Sequence, residues 1–230
     1  FKNAAGADTQ YNGFTRATDH IASFLNGTAP NSILDVRRTK LYTLVGGAVS
    51  GAVQGALTGP DEMSGVGTGL ILAGTQDGIV LSLAETNFMI SEAIELGVGF
   101  TGSNLYTDSA TPFYAGIEAS FITLGLTSAQ AATYIGNSDT TAGLGYNGGN
   151  IKQAIMTQKW IATYPDGQEA WSEYRRTGYP KLFRALHNTS GGTITTEFGP
   201  RRVNFVQTEK DGNPGGVATG LAKLGGSDNG

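Results

Sequence analysis

The residue types that could support catalysis are few in this chain and poorly spaced for it. Histidine occurs only as His20 and His187, so no short-spaced histidine metal site exists, and no Gly-x-Ser-x-Gly elbow raises a serine nucleophile. Glu85 and Glu92 fall on one face of a helical pattern, where a carboxylate pair would have to lie. Two turns of helix separate them by about 10 Å along the axis, whereas a glycosidase pair faces itself across a cleft at roughly 5–9.5 Å. Capping and ion pairing suit that spacing better. Gly-x-Gly-x-x-Gly occurs twice, at 97–102 and 143–148. One copy follows a helix and the other a polar linker, so neither has the strand–turn–helix context that dinucleotide binding needs. Asp211, Asn213 and Asp228 offer oxygens, but no loop has EF-hand spacing. The expectation is no catalytic residue, no metal site and no cofactor.

Binding chemistry has more candidates. Arg175, Arg176, Arg201 and Arg202 carry guanidinium forks suited to carboxylates, but Arg175 and Arg176 fall in the last turn of a helix, where the dipole favours cations. Glu169, Glu173 and Glu197 are available to them as internal partners. Trp160 and Trp171 sit in regular helical patterns, which points to burial in the core. Aromatics on irregular segments are better placed to stack on a flat ligand face. Tyr11, Phe14, Tyr42, Phe100 and Tyr106 are therefore the candidate ligand-binding residues.

Those positions must be held by helices and long loops. Residues 1–78 show little sustained period beyond one helix expected around 15–25, with Asn12-Gly13, Asn26-Gly27 and Thr58-Gly59-Pro60 marking turns. Loops of that length inside a compact domain are usually functional or flexible. Residues 79–136 read as helices with clear punctuation. Ser82 and Glu85 open one that ends at Gly97, and Thr111-Pro112 open another that ends at Gly125. Thr127 and Gln130 open a third that stops at Gly136. A linker at 137–149 leads to two helices over 150–180. The first ends at Tyr164-Pro165. The second is capped by Asp166 with Glu169 three positions on, and stops at Gly178. Residues 181–230 read as an irregular tail, with short strands near 193–198 and 203–206.

The string Gln158 to Leu182 concentrates two Trp, three Tyr and the paired arginines in a chain otherwise rich in Gly, Ala, Ser and Thr. It resembles the C-terminal signature of the SusD/RagB-like family: Gln158-Lys159-Trp160-Ile161, a short turn, then Glu169-Ala170-Trp171-x-Glu173-x-Arg175-Arg176-Thr177-Gly178-Tyr179-Pro180. Asp35-Val36-Arg37 is similar to the family's Asp-Pro-Arg, with Val36 in place of proline. The segments 83–93, 114–120 and 200–213 are similar to further family stretches, so the likeness runs from about Asp35 onward. It implies a mostly α fold of tetratricopeptide-like helical pairs with long irregular loops and a few short strands. The chain would be the C-terminal portion of one such domain over 1–230.

The resemblance also implies a function. Members are lipid-anchored proteins on the outward face of the Bacteroidetes outer membrane. They capture nutrients, usually glycans, for a SusC-like TonB-dependent transporter barrel, and some serve peptide uptake. The expectation is a non-enzymatic glycan binder, with an oligopeptide binder as the alternative. Its membrane link would lie outside this chain, which starts at Phe1 without a signal or a lipid-bearing cysteine and is expected to be part of a larger polypeptide. Composition is compatible with this. Hydrophobic residues make up 39%, while charged residues at 15% fall well below the roughly 25% usual in soluble domains. The 35 glycines with many Ser, Thr and Asn leave a near-neutral, hydroxyl-binding surface. A net charge of -4 argues against a nucleic-acid partner. No apolar run reaches the ~20 residues that span a bilayer as a helix.

Overall fold

A computed structural model describes residues 15–53, 62–71, 75, 78–98, 106–180 and 204–226. Nine helices are found among them. They are α1 (Asp19–Leu25), α2 (Arg38–Leu41), α3 (Leu83–Glu95), α4 (Ala110–Thr123), α5 (Ser128–Ser138), α6 (Ile151–Thr163), α7 (Gly167–Thr177), α8 (Gln207–Gly212) and α9 (Pro214–Lys223). The chain divides into two compact units, one holding α1 to α7 and one holding α8 and α9.

Local chemistry fixes most helix starts. Ser82 Oγ accepts the Glu85 N–H at 3.0 Å, but the Glu85 carboxylate turns away toward Lys159, so only half of the expected capping box forms. Thr127 and Gln130 make the complete reciprocal box on α5. Asn150 accepts the Gln153 N–H at 3.0 Å to start α6. Asp166 accepts from both Gln168 and Glu169 to start α7. Gly178 ends α7 in the left-handed region at φ 76°, which costs little only for a residue without Cβ.

Several expectations shift. The helix expected over 15–25 begins at Asp19, because Arg16 and Thr18 are engaged in backbone bridges to Gly65 and Ala52. The next-but-one start moves to Ala110, where the Asp108 carboxylate accepts the Thr111 N–H at 2.7 Å. Helix α5 runs through Gly136 to Ser138. The linker at 137–149 is a pinned turn: Asp139 takes hydrogen bonds from Tyr114 and Asn147, both at 2.7 Å. Those bonds hold its carboxyl below the usual Asp range, although burial pushes the other way. Strand-like pairing among the described residues consists of isolated bridges. The strand expected at 193–198 lies outside the described residues, as does Val203, while 204–206 is coil.

The larger core joins α3, α4, α5 and α6, with Phe88, Phe113, Ile117, Phe121 and Ile155 fully buried. Gly116 lets α3 and α4 close up, since a Cβ there would sit 2.8 Å from Cε1 of Phe88. A second cluster joins α1, Leu41, Tyr42 and Val49 to Leu124 and Ile161. It ties the loop-rich first third to the end of α4 and to α6.

Candidate functional site

Asp35, Arg37, Gln158 and Lys159, polar residues that carry the resemblance, are buried. Arg37 is fully buried and forms a bidentate pair with Asp35, its Nη2 donating to Oδ2 at 2.7 Å. The same guanidinium donates to Ser120 Oγ at 2.8 Å and to Gln158 Oε1 at 2.9 Å. Its Cζ lies 5.0 Å from the Phe121 ring centre and 4.9 Å from that of Tyr134. Gln158 then donates to Tyr134 and to the Leu144 carbonyl, both at 3.1 Å. Burial alone would favour a neutral Arg37, but the Asp35 carboxylate outweighs it and keeps the charge.

Lys159 forms the second polar centre. Its Nζ is 2.8 Å from Glu169, 3.1 Å from Glu173 and 3.7 Å from Glu85, joining α6 to α7 and α3. Although burial opposes it, those carboxylates hold the ammonium above the usual lysine range. Arg176 grips both oxygens of Glu92 at 2.7 Å and also reaches Glu173. Glu85 and Glu92 are thus each held by a cation from the signature helices, as ion pairing requires.

This arrangement settles the orientation of α7. Its acidic face, Glu169 and Glu173, turns inward onto Lys159. Trp171 lies two residues from Glu169, about 200° round the helix, and is 40% exposed. The expectation that Trp171 is buried is therefore corrected. It lies instead beside Tyr174 and under Arg175, whose Cζ is 5.9 Å from the ring centre. Trp160 meets the second cluster edge-on through Phe24.

An open groove of about 510 Å³ lies where the start of α3, the end of α4 and the turn between α6 and α7 meet. Its wall carries the hydroxyls of Ser82, Thr123 and Thr163, the half-buried ring of Tyr164, and the carboxylates of Glu85 and Asp166. Leu70, Ile79, Val80 and Leu124 supply apolar surface, with Val80 almost fully exposed. Burial pushes the Glu85 carboxyl up, and Lys159 only partly reverses this.

Of the five aromatic candidates, Tyr11, Phe14 and Phe100 lie outside the described residues. Tyr42 is 3% exposed, with its ring 5.2 Å from Tyr164, so it backs the ring that lines the groove. Burial raises its phenol well above the usual tyrosine range. Tyr106 is half-buried and donates to Asn87 on α3 at 3.1 Å. Neither described candidate lines the groove. The sequence reading missed Tyr164, which it treated only as a helix terminator. Its position before a proline at the end of α6 was the available signal. Arg201, Arg202 and His187 also lie outside the described residues. Among the described residues no group of three His, Asp or Glu stands close enough to hold a metal ion, and no helix is long and apolar enough to cross a membrane.

Residues 145–230 match the family model described as SusD-like, the SusD and RagB outer membrane lipoproteins. Among solved structures, a SusD homologue from Bacteroides vulgatus is 30% identical with a TM-score of 0.65, over 92% of this chain and 47% of its own. Over residues 145–230 in sequence, and in its fold, the chain is SusD-like. A SusD homologue from Bacteroides ovatus is 25% identical with a TM-score of 0.64, covering 91% of this chain and 48% of its own. A chitin-binding protein at 22% identity and a TM-score of 0.56, over 92% of this chain and 47% of its own, shares the fold. The chain spans about half the length of these solved structures. No curated protein matches. The SusD-like signature maps onto the Arg37, Lys159 and Arg176 webs, so its residues hold the helices together.

Proposed function

We propose that this chain belongs to a surface nutrient-binding lipoprotein that captures oligosaccharides without chemical change and delivers them to a TonB-dependent transporter of the outer membrane. The carrying observation is the SusD-like match, at 30% identity across 92% of the chain. The open groove adds to it, because hydroxyls and a tyrosine ring side by side suit a sugar: the ring packs on C–H faces while the hydroxyls exchange hydrogen bonds. Tyr11, Phe14, Phe100 and Tyr106 are proposed as further stacking contacts, with Tyr42 supporting Tyr164 from behind. Attachment to the outward face of the membrane would be through a lipid outside this chain.

Calorimetric titration of the lipid-free protein against oligosaccharide and oligopeptide panels tests the reading. Saturable glycan binding with no product formed is the expected result. Binding of oligopeptides alone would move the function to peptide uptake, and glycan hydrolysis abolished by one carboxylate substitution would replace binding with catalysis.

A further inference from the structure

The charges around the groove have a consequence for which saccharide it accepts. Among the described residues, the carboxylates on its wall are Glu85 and Asp166, and no Lys, Arg or His lines it. The nearest cation to Glu85 is Lys159, but at 3.7 Å this is the longest of its three carboxylate contacts; Glu169 and Glu173 hold the same ammonium at 2.8 and 3.1 Å. One ammonium therefore serves three carboxylates, and Arg176 offsets Glu173 and Glu92 on the other side. Two helix N-termini also reach the groove, and both are capped: at α7 Asp166 Oδ1 accepts the Gln168 and Glu169 N–H groups at 3.1 and 3.0 Å, and at α3 Ser82 Oγ accepts the Glu85 N–H at 3.0 Å. Behind the groove, Arg37 is fully buried and bound to Asp35, Ser120 and Gln158. A carboxylate or sulfate entering here would find like charge on the described wall and no cation among its lining residues; Lys40 stands next to the lining Gly69 but is not itself on the wall.

We infer that the groove between α3, α4 and the α6–α7 turn is a saccharide site selective for neutral or amine-bearing sugars over acidic ones. This rests on the oligosaccharide reading above. A hydroxyl-rich neutral chain can pack on Tyr164 and bond Ser82, Thr123 and Thr163. A glucosamine ammonium gains further from Glu85, whereas a uronate meets repulsion within the Debye length, about 8 Å at physiological salt.

The test titrates the full chain with neutral tetrasaccharides (chito-, xylo- and malto-), with the fully deacetylated glucosamine tetramer, and with the galacturonate tetramer. At least one neutral or amino tetramer should bind, and the galacturonate tetramer should bind at least about tenfold more weakly, a gap that narrows with added salt. Thr123→Lys puts a cation on the groove wall at an exposed helix C-terminus, where the dipole favours it. It should raise affinity for the galacturonate tetramer severalfold and lower it for the glucosamine tetramer. Glu85→Gln should shift both affinities the same way, with circular dichroism confirming the fold. Acidic and neutral tetramers binding equally well, or binding unmoved by Thr123→Lys, would overturn the charge selection and leave the oligosaccharide reading standing. Binding of none of the saccharides by the folded chain would overturn both.

Discussion

Ser120 belongs to two regions built on opposite principles. On one side it accepts from Arg37, inside a web where the guanidinium, the Asp35 carboxylate and the Gln158 amide all find partners without solvent. On the other it lines the groove, where Thr123 is exposed and Tyr164 half-exposed. The first region is closed and specific to its own residues. The second presents hydroxyls, a ring and two carboxylates to whatever enters. Residue identity in the first is dictated by neighbours more than a hundred positions away in sequence, as with Arg37 and Gln158. In the second it is free to follow the ligand. A signature motif can therefore identify the scaffold while carrying little information about what is bound.

The largest expected effect is in the closed region. Arg37→Met should cost about 3–5 kcal/mol, because it leaves the Asp35 carboxylate, 2% exposed, without its counter-charge. Denaturant unfolding measures it. A loss below about 1 kcal/mol would mean that Asp35 reaches water or another cation, and the contrast with the groove would collapse. Lys159→Met should cost less, about 2 kcal/mol, since Glu169 is one-third exposed and can be rehydrated.

The Lys159 web also predicts a pH profile. Its ammonium is held above the ordinary value of about 10.4, so the stability it contributes is complete below that pH. It is lost as pH rises through the folded value. Glu173 is held below the ordinary Glu value of about 4.3, chiefly by Arg176 and Lys159 acting against burial. Its contribution is present above that pH and lost as pH falls through the folded value. Glu85 runs the other way: raised mainly by burial, it opposes folding when charged, and acid relieves it. Unfolding free energy should therefore be highest between these limits, and Lys159→Met should flatten the alkaline limb. An alkaline limb unchanged in the variant would show that another group sets it.

How much of this the sequence revealed depends on distance along the chain. Caps on α5 and α7 were readable because Thr127–Gln130 and Asp166–Glu169 act within three residues. The tail was misread as coil even though Asn213-Pro214 is a cap followed by a proline at the first helical position. The run of small residues after it, Gly215, Gly216 and Gly220, hid the helical period of α9. Asn213 accepts the Gly216 N–H at 3.1 Å, so Asn213→Ala should lower the stability of α9 by about 1 kcal/mol. Amide exchange along 214–223 reports it, and unchanged protection would place the start of α9 elsewhere. The groove was not readable because it is assembled from segments around Gly69, Ser82, Thr123 and Tyr164. No local pattern links them.

Trp171 gives the smallest effect and the sharpest separation of scaffold from surface. From sequence it reads as a core residue, since it sits in a regular helical pattern. The ion pairs decide otherwise: once Lys159 draws Glu169 and Glu173 inward, helical geometry turns Trp171 outward, leaving it Tyr174 and the Arg175 guanidinium. Trp171→Ala should then cost no more than about 1 kcal/mol, the scale of an exposed cation–π contact with some lost packing. A core tryptophan would cost about 3–5 kcal/mol. Denaturant midpoints of Trp171→Ala and Phe88→Ala measured side by side separate the two cases. Equal losses would return Trp171 to the core and reverse the face that α7 presents.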